Sequence, residues 1–395
     1  MKRLSAFTCA LLLLLAACSG GGEPTTIVST TSSTTTTTTT SSTTTTVPLP
    51  TITVDGADSD LAGTIEALYG VAFGGDEPAA DAAVLSAFRG ASGNPPATAT
   101  ATVGDWSEDV RLAVVEADQD VTLAVADPTW RVIGGWWPSM RIDPELGTFP
   151  KIVAVIGSDA RPNQNRERAR SDSIHFVAMA GDGTASIVGV PRDSWVAISG
   201  HGHNKINAAL AFGGPDLMMQ TFSDVTGLDL DGFILTGFAG FQSLIGVLGG
   251  LRIDVPHAFN DKAAKAYLDA GRQILNGAQA LAMSRARKTL ARGDFSRQEN
   301  GGLVIEAAQA MVRAGGASGL PGLISAAQPY FSTSFSPDEL LRVAAAITRV
   351  DPDQVINEVA PGRVGSAGGA SVVFLTDAAP DLFADLADGH LEPPG

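Results

Sequence analysis

Three short apolar runs near the middle of the chain constrain its fold more than any other feature of the sequence. They occupy residues 151–156, 172–180 and 186–190, and each is mostly apolar. Such runs are typical of strands that are buried on both faces of a sheet. Helical spacing of apolar residues recurs at 208–226, 238–248, 276–283, 302–313 and 337–350, and a further strand is expected at 251–255. Strands interspersed with helices predict an α/β architecture built in layers.

Residues 51–145 have the pattern of a separate, small α+β unit. Helical spacing is present at 61–73 and 79–88, and short strands are expected at 109–115, 120–125 and 130–136. Four of the five tryptophans lie in this unit, namely Trp106, Trp130, Trp136 and Trp137. Aromatic rings serve both in core packing and in carbohydrate- or partner-binding faces. The sequence favours packing here and leaves the second alternative open.

The N-terminal residues read as a targeting signal. Lys2 and Arg3 precede an apolar run at 6–17, which is too short for a bilayer core of about 20 residues but fits a signal peptide. The run ends in Leu-Ala-Ala-Cys18, which resembles a bacterial lipobox. We therefore predict a signal peptide at 1–17, diacylation of Cys18, and a lipid anchor on the extracytoplasmic face of the cell membrane. Ordinary secretion, with small residues at the cleavage point, is the alternative.

The segment after Cys18 has the composition of a tether. Residues 25–46 are almost wholly Thr and Ser, so they cannot bury enough apolar surface to fold. We expect 18–50 to be a disordered linker that holds the body of the protein away from the membrane. The body carries no strong basic character, because 26 Lys and Arg face 42 Asp and Glu in the chain and the formal net charge is −16. This balance argues against nucleic acid as a partner.

Charged residues are placed where the predicted central strands begin or end. The segments concerned are 157–162, which contains Asp159 and Arg161, then 170–172, which contains Arg170 and Asp172, and 191–193, which contains Arg192. Ligand crevices form at strand ends in α/β sheets, so one cleft is expected to collect these side chains. Guanidinium groups suit phosphate oxygens, and nearby aspartates suit Mg²⁺. The pattern predicts a site for a phosphate-bearing ligand.

A later segment supplies three more arginines, Arg285, Arg287 and Arg297. Each arginine by itself is typical of a surface ion pair, whereas their convergence in a net-acidic chain favours an anionic ligand. The motifs of P-loop nucleotide-binding proteins, zinc proteases, α/β-hydrolases and dinucleotide-binding proteins are absent from the sequence. The two cysteines both lie within the first eighteen residues, which excludes a disulfide framework or a cysteine zinc site in the body.

Residues 151 to about 385 resemble the LytR–CpsA–Psr (LCP) family, which attaches glycopolymers to bacterial cell walls. The segments that carry the resemblance, in the family's order, are 157–162, 170–172, 190–193, 205–207, 213–215, 249–256, 275–281, 285–287 and 293–297. The resemblance implies a three-layer α/β/α sandwich at 146–390, preceded by the small unit at 51–145. It also implies a phosphotransferase whose substrate is a glycan on a polyprenyl pyrophosphate carrier.

In such an enzyme the glycosyl phosphate moves to a hydroxyl of peptidoglycan, typically the C6 hydroxyl of muramic acid, and polyprenyl phosphate is released. The prenyl tail would occupy an apolar tunnel. Apolar runs at 217–219, 233–235 and 244–248 are candidates for its lining, with Met218 and Met219 preferred because thioethers adapt to a flexible chain. Ordinary core packing is the alternative for each of these runs.

The resemblance also assigns roles to the charged residues. Arg161, Arg170, Arg192, Arg285, Arg287 and Arg297 would bind the pyrophosphate. Asp159 and Asp172 would coordinate Mg²⁺, or another divalent cation, or orient the arginines, and either is a candidate base for the acceptor hydroxyl. One departure stands out: Gly301 and Asn300 occupy positions where the family often has Gln and Arg. This departure predicts altered contacts at one edge of the pyrophosphate site.

Two further classes of function are compatible with the sequence. One is a non-catalytic lipoprotein that binds polyprenyl-linked glycans, for which the Gly301 departure is the only hint. The other is a solute-binding lipoprotein, since a lipobox and a tether are common to that class. Solute-binding lipoproteins normally have two similar α/β lobes, whereas this sequence predicts one lobe with clustered arginines.

Overall fold

The described residues of the computed structural model are 48–287 and 292–392. The signal peptide, Cys18 and the Thr/Ser-rich tract therefore lie outside the described residues.

A six-stranded sheet forms the N-terminal part. Its strands, in spatial order, are β1 (Thr53–Asp55), β2 (Thr98–Asp105), β3 (Arg111–Ala117), β4 (Asp120–Ala126), β5 (Trp130–Trp137) and β6 (Ile142–Glu145). Helices α1 (Ser59–Val71) and α2 (Ala82–Arg89) pack on one face. The two helices and strands β3 to β5 confirm the predicted elements, while β1, β2 and β6 were not predicted. Trp130 and Trp137 are buried in this layer, which confirms packing as their role.

The remaining elements follow in chain order. They are β7 (Lys151–Ser158), β8 (Ser171–Met179), β9 (Ala185–Gly189), β10 (Trp195–Ile198), β11 (Gly202–Lys205), α3 (Ala208–Thr226), β12 (Gly232–Thr236), α4 (Phe238–Val247), β13 (Leu251–Val255), β14 (Phe259–Asp261), β15 (Ala266–Leu268), β16 (Gly271–Leu275), α5 (Gly277–Arg285), α6 (Asp294–Gly315), α7 (Leu320–Ala327), β17 (Ser332–Thr333), α8 (Pro337–Arg349), β18 (Val355–Val359), β19 (Gly362–Ala367), β20 (Ala370–Leu375) and α9 (Ala378–Leu386).

The central sheet has the strand order β17-β12-β7-β8-β9-β18. Strand β8 shows how its two faces are used. Ile174, Phe176 and Ala178 pack in a core with residues of α3 and α9, whereas Val177 and Met179 face residues of α6 and α8. Helices therefore cover both faces, and the predicted three-layer α/β/α sandwich is confirmed.

The N-terminal sheet packs against the outer side of this sandwich. Its second face shares one hydrophobic cluster with α7 and α8, to which Leu123 and Leu341 both belong. Ion pairs of Arg342 with Asp81 and of Arg131 with Asp338 add polar links between the sheet and α8. Helix α8 is thus held between the N-terminal sheet and the central sheet.

The pairing of the central strands explains why the charged segments meet. Strand β8 is antiparallel to both β7 and β9. The end of β7, the start of β8 and the end of β9 consequently lie at the same edge of the sheet. Helix α6 also reaches this edge, because it begins at Asp294 rather than at the predicted residue 302. Its first turns bury the polar residues Arg297, Gln298 and Asn300. The helical spacing of apolar residues, on which the prediction relied, is therefore missing from these turns.

Candidate active site

The carboxylate of Asp172 lies at the centre of a cluster of three arginines. Asp172 is the second residue of β8 and is buried. Its Oδ1 forms an ion pair with Arg192. The Nη1 of Arg297 lies 3.5 Å from the same oxygen, and the Nε of Arg285 lies 3.4 Å from Oδ2. The arginines belong to separate parts of the chain, after β9, in the first turn of α6 and at the end of α5, so only the fold brings them together.

The main chain around Arg192 is fixed by hydrogen bonds. The Arg192 carbonyl accepts a hydrogen bond from the N–H of Asn207 over 3.3 Å. The Asn207 carbonyl accepts one in turn from the first N–H of β8, also over 3.3 Å. Next to Arg192, the Oδ1 of Asp193 lies 3.1 Å from the Nζ of Lys205. These hydrogen bonds therefore hold the main chain of Arg192 in a position from which its guanidinium contacts Asp172.

Arg285 is held in place by an aromatic ring. Its guanidinium carbon lies 4.3 Å from the centroid of the Phe238 ring, in the range of a cation–π contact. Phe238 is the first residue of α4 and lines the same cavity as Arg285. This contact could not be predicted from sequence, because the two residues are far apart in the chain.

Arg297 is more deeply buried than the other two arginines, with only 4% of its side chain exposed. It forms an ion pair with Asp294, which lies one turn earlier in α6. Burial lowers the pKa of the Arg297 guanidinium, while the carboxylates of Asp294 and Asp172 oppose this change. Arginine remains charged even so.

Asp294 is a buried carboxylate beside the arginine cluster. Burial raises the pKa of Asp294, and the positive charges of Arg297 and Arg192 offset only part of the rise. Asp294 also lines a surface groove together with Phe295, Pro361 and Val364. It thus lies between this groove and the arginine cluster. Sequence analysis did not single out Asp294, although its spacing of three residues from Arg297 within a helix indicates this ion pair.

Three of the predicted pyrophosphate ligands lie outside the Asp172 cluster. Arg161, Arg170 and Arg287 are exposed, and none of their guanidiniums is within ion-pair distance of a carboxylate in the described part of the chain. Asp159 is next to this group, because its Oδ1 accepts a hydrogen bond from the N–H of Arg170 over 3.0 Å. The predicted residues therefore separate into a buried inner set around Asp172 and an exposed outer set.

Two adjoining cavities extend from the inner set along the face of the sheet that α6 covers. The first is lined by Asp172, Arg285 and Gly301 among others. The second is lined by apolar side chains from the sheet, α6 and α8, and Gln309 is its one polar lining residue among those described. Val155 and Ile305 line both cavities. The first cavity, called the polar cavity because Asp172 and Arg285 lie among its lining residues, thus adjoins an apolar one.

The lining predicted for the apolar tunnel was mostly wrong. Ile234 is the one residue of the predicted runs that lines the apolar cavity as described. Met218 is fully buried in the core on the opposite face of the sheet, where Met219 also packs. Helix α3 carries both methionines and lies against the other face, so neither can reach the cavity. Apolar character alone does not reveal which face of a sheet a helix will cover.

The two aspartates predicted to bind Mg²⁺ differ in their surroundings. Asp172 is engaged by three guanidiniums, which suits it to orienting arginines. Asp159 is half-buried at the outer edge and accepts a single main-chain hydrogen bond, so it retains oxygen lone pairs suited to a hard cation. Within residues 48–287 and 292–392 there is no cluster of three or more His, Cys, Asp or Glu that would hold a metal unaided. The donor set fits a cation shared between Asp159 and oxygens of a ligand.

Among the described helices, none has the length and apolar character needed to cross a bilayer. The fold and the site together define a class: an α/β/α protein whose guanidinium pocket, suited to phosphate oxygens, opens into an apolar cavity suited to a hydrocarbon chain. The model of the LytR_cpsA_psr family matches residues 138–381. The chain belongs to the LytR–CpsA–Psr family, and the predicted resemblance is confirmed.

Relatives of known name share part of their length with this chain. "Probable cell wall biosynthesis protein LcpB" of Corynebacterium glutamicum is 34% identical over 155 residues, which are 36% of this chain and 37% of LcpB. The polyisoprenyl-teichoic acid–peptidoglycan teichoic acid transferase TagV of Bacillus subtilis is 33% identical over 150 residues, which are 36% of this chain and 38% of TagV. The chain thus spans less than two fifths of the length of each of these relatives.

The crystal structure of B. subtilis TagV supports the fold. It superposes on 62% of this chain and 100% of its own with a TM-score of 0.54 and 24% sequence identity. At this level of identity the similarity concerns the fold alone.

Proposed function

We propose that this protein is a phosphotransferase that moves a glycopolymer from a polyprenyl pyrophosphate carrier to a hydroxyl of peptidoglycan. The observation that carries the proposal is the arginine cluster around Asp172, which borders a cavity that adjoins a second, apolar cavity. A lipid-linked pyrophosphate has a polar head and an apolar tail in the same order. The relative TagV, named as a polyisoprenyl-teichoic acid–peptidoglycan teichoic acid transferase, supports the same chemistry.

The reaction exchanges a phosphoanhydride bond for a phosphoester bond. The acceptor oxygen attacks the phosphorus that bears the glycan, and a new oxygen–phosphorus bond forms. The bond between this phosphorus and the bridging oxygen breaks, and its electron pair leaves with polyprenyl phosphate. Arg192, Arg285 and Arg297 stabilise the charge that develops on the phosphate oxygens, which is the main requirement of phosphoryl transfer.

The proton of the acceptor hydroxyl needs a base. Asp172 is a poor candidate, because three guanidiniums stabilise its carboxylate. Asp294 is the better candidate, since the residue lines the groove, its carboxylate pairs with Arg297 rather than with three guanidiniums, and burial raises its pKa. We therefore assign the base to Asp294 in place of Asp159 or Asp172.

A divalent cation fits the outer edge of the site. Asp159 would hold Mg²⁺, and the ion would supply charge neutralisation on the pyrophosphate when bound. We expect Asp159→Ala and an excess of EDTA each to lower turnover by about 10²-fold, because several kcal/mol of charge stabilisation are removed. Steady-state turnover of a polyprenyl pyrophosphate substrate measures both effects.

The matched control for this experiment is Asp224→Ala, which removes an exposed carboxylate of α3 and is expected to leave turnover unchanged. Adding Mg²⁺ after chelation should restore turnover completely. Equal turnover with and without EDTA would remove the cation from the mechanism.

Attachment to the membrane is proposed to occur through Cys18. In cells, Cys18→Ala should block lipoprotein processing or release the protein from membranes, because no acyl chain is added. Fractionation of membranes followed by immunoblotting measures the outcome, and Cys9→Ala is the control that removes the other cysteine of the chain. A Cys18→Ala protein that is processed and retained like the wild type would contradict the lipid anchor.

The transferase and the non-catalytic binder are separated by one assay. Purified protein is given a labelled polyprenyl-pyrophosphate glycan and peptidoglycan. A transferase labels the peptidoglycan and releases polyprenyl phosphate, whereas a binder retains the lipid unchanged.

A further inference from the structure

A buried histidine lies beside the residues that line the polar cavity and the apolar cavity. His175 is opposite Val155 in the pairing of β7 with β8, and Val155 lines both cavities. On the same face of β8, Ser173 lines the polar cavity and Val177 lines the apolar cavity. His175 lies between them in sequence, and its side chain has no exposure to solvent. His175 itself is not a lining residue of either cavity, but its neighbours on β7 and β8 line both.

The imidazole of His175 joins the sheet to α6. Its Nε2 is 2.8 Å from the carbonyl oxygen of Gln298, and its Nδ1 is 3.1 Å from the Oγ of Ser173. Burial lowers the pKa of His175 to about 4, so the ring is neutral at physiological pH. A carbonyl only accepts, so Nε2 donates to Gln298 and Nδ1 accepts from the Ser173 hydroxyl. Gln298 directly follows Arg297, so the hydrogen bond fixes α6 at the level of that arginine.

Two glycines provide the space for this ring. A Cβ atom on Gly301 would lie 2.6 Å from the Cε1 of His175 and 2.9 Å from its Nε2. A Cβ atom on Gly189 would lie 3.3 Å from the same Nε2 and 2.7 Å from the Cβ of Gln298. A side chain at position 301 would consequently displace the imidazole. Gly301, which occupies a position where the family often has Gln, thus leaves the space that the ring of His175 fills.

We propose that His175 is a positioning residue that, together with Gly301, holds the first turns of α6 against the sheet and so places Arg297 beside Asp172. This inference rests on the proposed use of the arginine cluster to bind pyrophosphate. The contact that it controls is the one between Nη1 of Arg297 and Oδ1 of Asp172, at 3.5 Å. A shift of α6 would move Arg297 while leaving Arg192 and Arg285, which belong to other elements, in place.

The test measures inorganic pyrophosphate binding by calorimetry and transfer kinetics on the purified protein. His175→Leu places an apolar side chain in the buried position and removes both hydrogen bonds. We expect it to raise the Kd for inorganic pyrophosphate about 10-fold and to lower kcat about 10²-fold, because Arg297 is misplaced. The KM for the polyprenyl substrate should change little, since the tail supplies most of that affinity. His175→Gln, which restores a donor for Gln298, should recover most of the loss.

A second variant tests the pairing with Gly301. Gly301→Ala should weaken pyrophosphate binding as His175→Leu does, because the new methyl group displaces the ring. In a His175→Ala background, which removes the ring, Gly301→Ala should cause no further loss, so the two effects are strongly non-additive. Phe176→Leu is the matched control, because Phe176 packs on the opposite face of β8. It should lower Tm and leave pyrophosphate binding unchanged.

The outcomes separate this inference from the proposed function. If His175→Leu only lowers Tm, as Phe176→Leu does, or if the effects of the 175 and 301 substitutions add, the positioning role is wrong. A wild type that transfers nothing would overturn the proposed function. Binding of pyrophosphate needs no acceptor, so the binding data would still test the positioning role of His175. A wild type that binds no pyrophosphate would overturn both.

Discussion

Asp294→Asn is expected to slow glycopolymer transfer by about 10²–10⁴-fold, the usual range for removal of a general base. The amide keeps the size of the side chain but cannot accept the proton of the acceptor hydroxyl. Binding of inorganic pyrophosphate should be as tight as in the wild type or tighter, because a negative charge beside Arg297 is removed. Single-turnover transfer kinetics, measured alongside pyrophosphate calorimetry, separate the two effects.

The pH dependence gives an independent signature of the same residue. Asp294 acts as a base only when it is ionised, and burial raises its pKa above the ordinary value for Asp. The wild-type rate should therefore fall as the pH drops through that raised pKa, because Asp294 then holds a proton. Asp294→Asn should lack this acidic limb.

The control for charge removal is Asp254→Asn, since Asp254 is exposed on β13 and pairs only loosely with Arg272. Its transfer rate and pH profile should match those of the wild type. A rate for Asp294→Asn within tenfold of the wild type, with the acidic limb intact, would show that another group takes the proton.

Arg192→Lys is expected to lower the transfer rate by about 10²–10³-fold while lipid binding falls far less. Lysine keeps the positive charge but lacks the planar fork that contacts a carboxylate or a phosphate through two nitrogens. Arg192 is braced by Asn207 and ion-paired with Asp172, so the substitution also releases one of the three guanidiniums that hold that carboxylate. The measurement is transfer of a labelled lipid-linked glycan, with retention of the lipid followed in parallel.

Arg272→Lys is the matched control, because Arg272 is exposed on β16. It should behave as the wild type in both assays. An Arg192→Lys protein with an unchanged rate would make Arg192 a structural residue and remove it from the proposed mechanism.

The position of the site could be predicted from the sequence because it follows from strand order. The charged segments around Asp172 and Arg192 flank apolar runs that are recognisable as buried strands. Once those strands pair antiparallel, their charged ends meet at one edge of the sheet. Helix α8 was equally predictable, since it begins at Pro337, where the helical spacing at 337–350 begins, and Ser336 caps it.

The different surroundings of the individual site residues could not be predicted in the same way. Asp159 and Asp172 look alike in the sequence, yet only Asp172 is enclosed by guanidiniums, because two of these come from α5 and α6. The start of α6 was missed because its first turns bury polar side chains. Met218 was misplaced because the face of the sheet that a helix covers depends on the path of the chain.

The most direct test of the proposed transferase is the mass of both products from a single reaction. Wild-type protein is incubated with a polyprenyl-pyrophosphate glycan of defined mass and with peptidoglycan, which is then digested to muropeptides. We predict muropeptides that carry the glycan through one phosphate, and an equal amount of released polyprenyl monophosphate. Recovery of intact polyprenyl-pyrophosphate glycan with unmodified muropeptides, from protein that binds the lipid, would contradict the transferase and favour a binding protein.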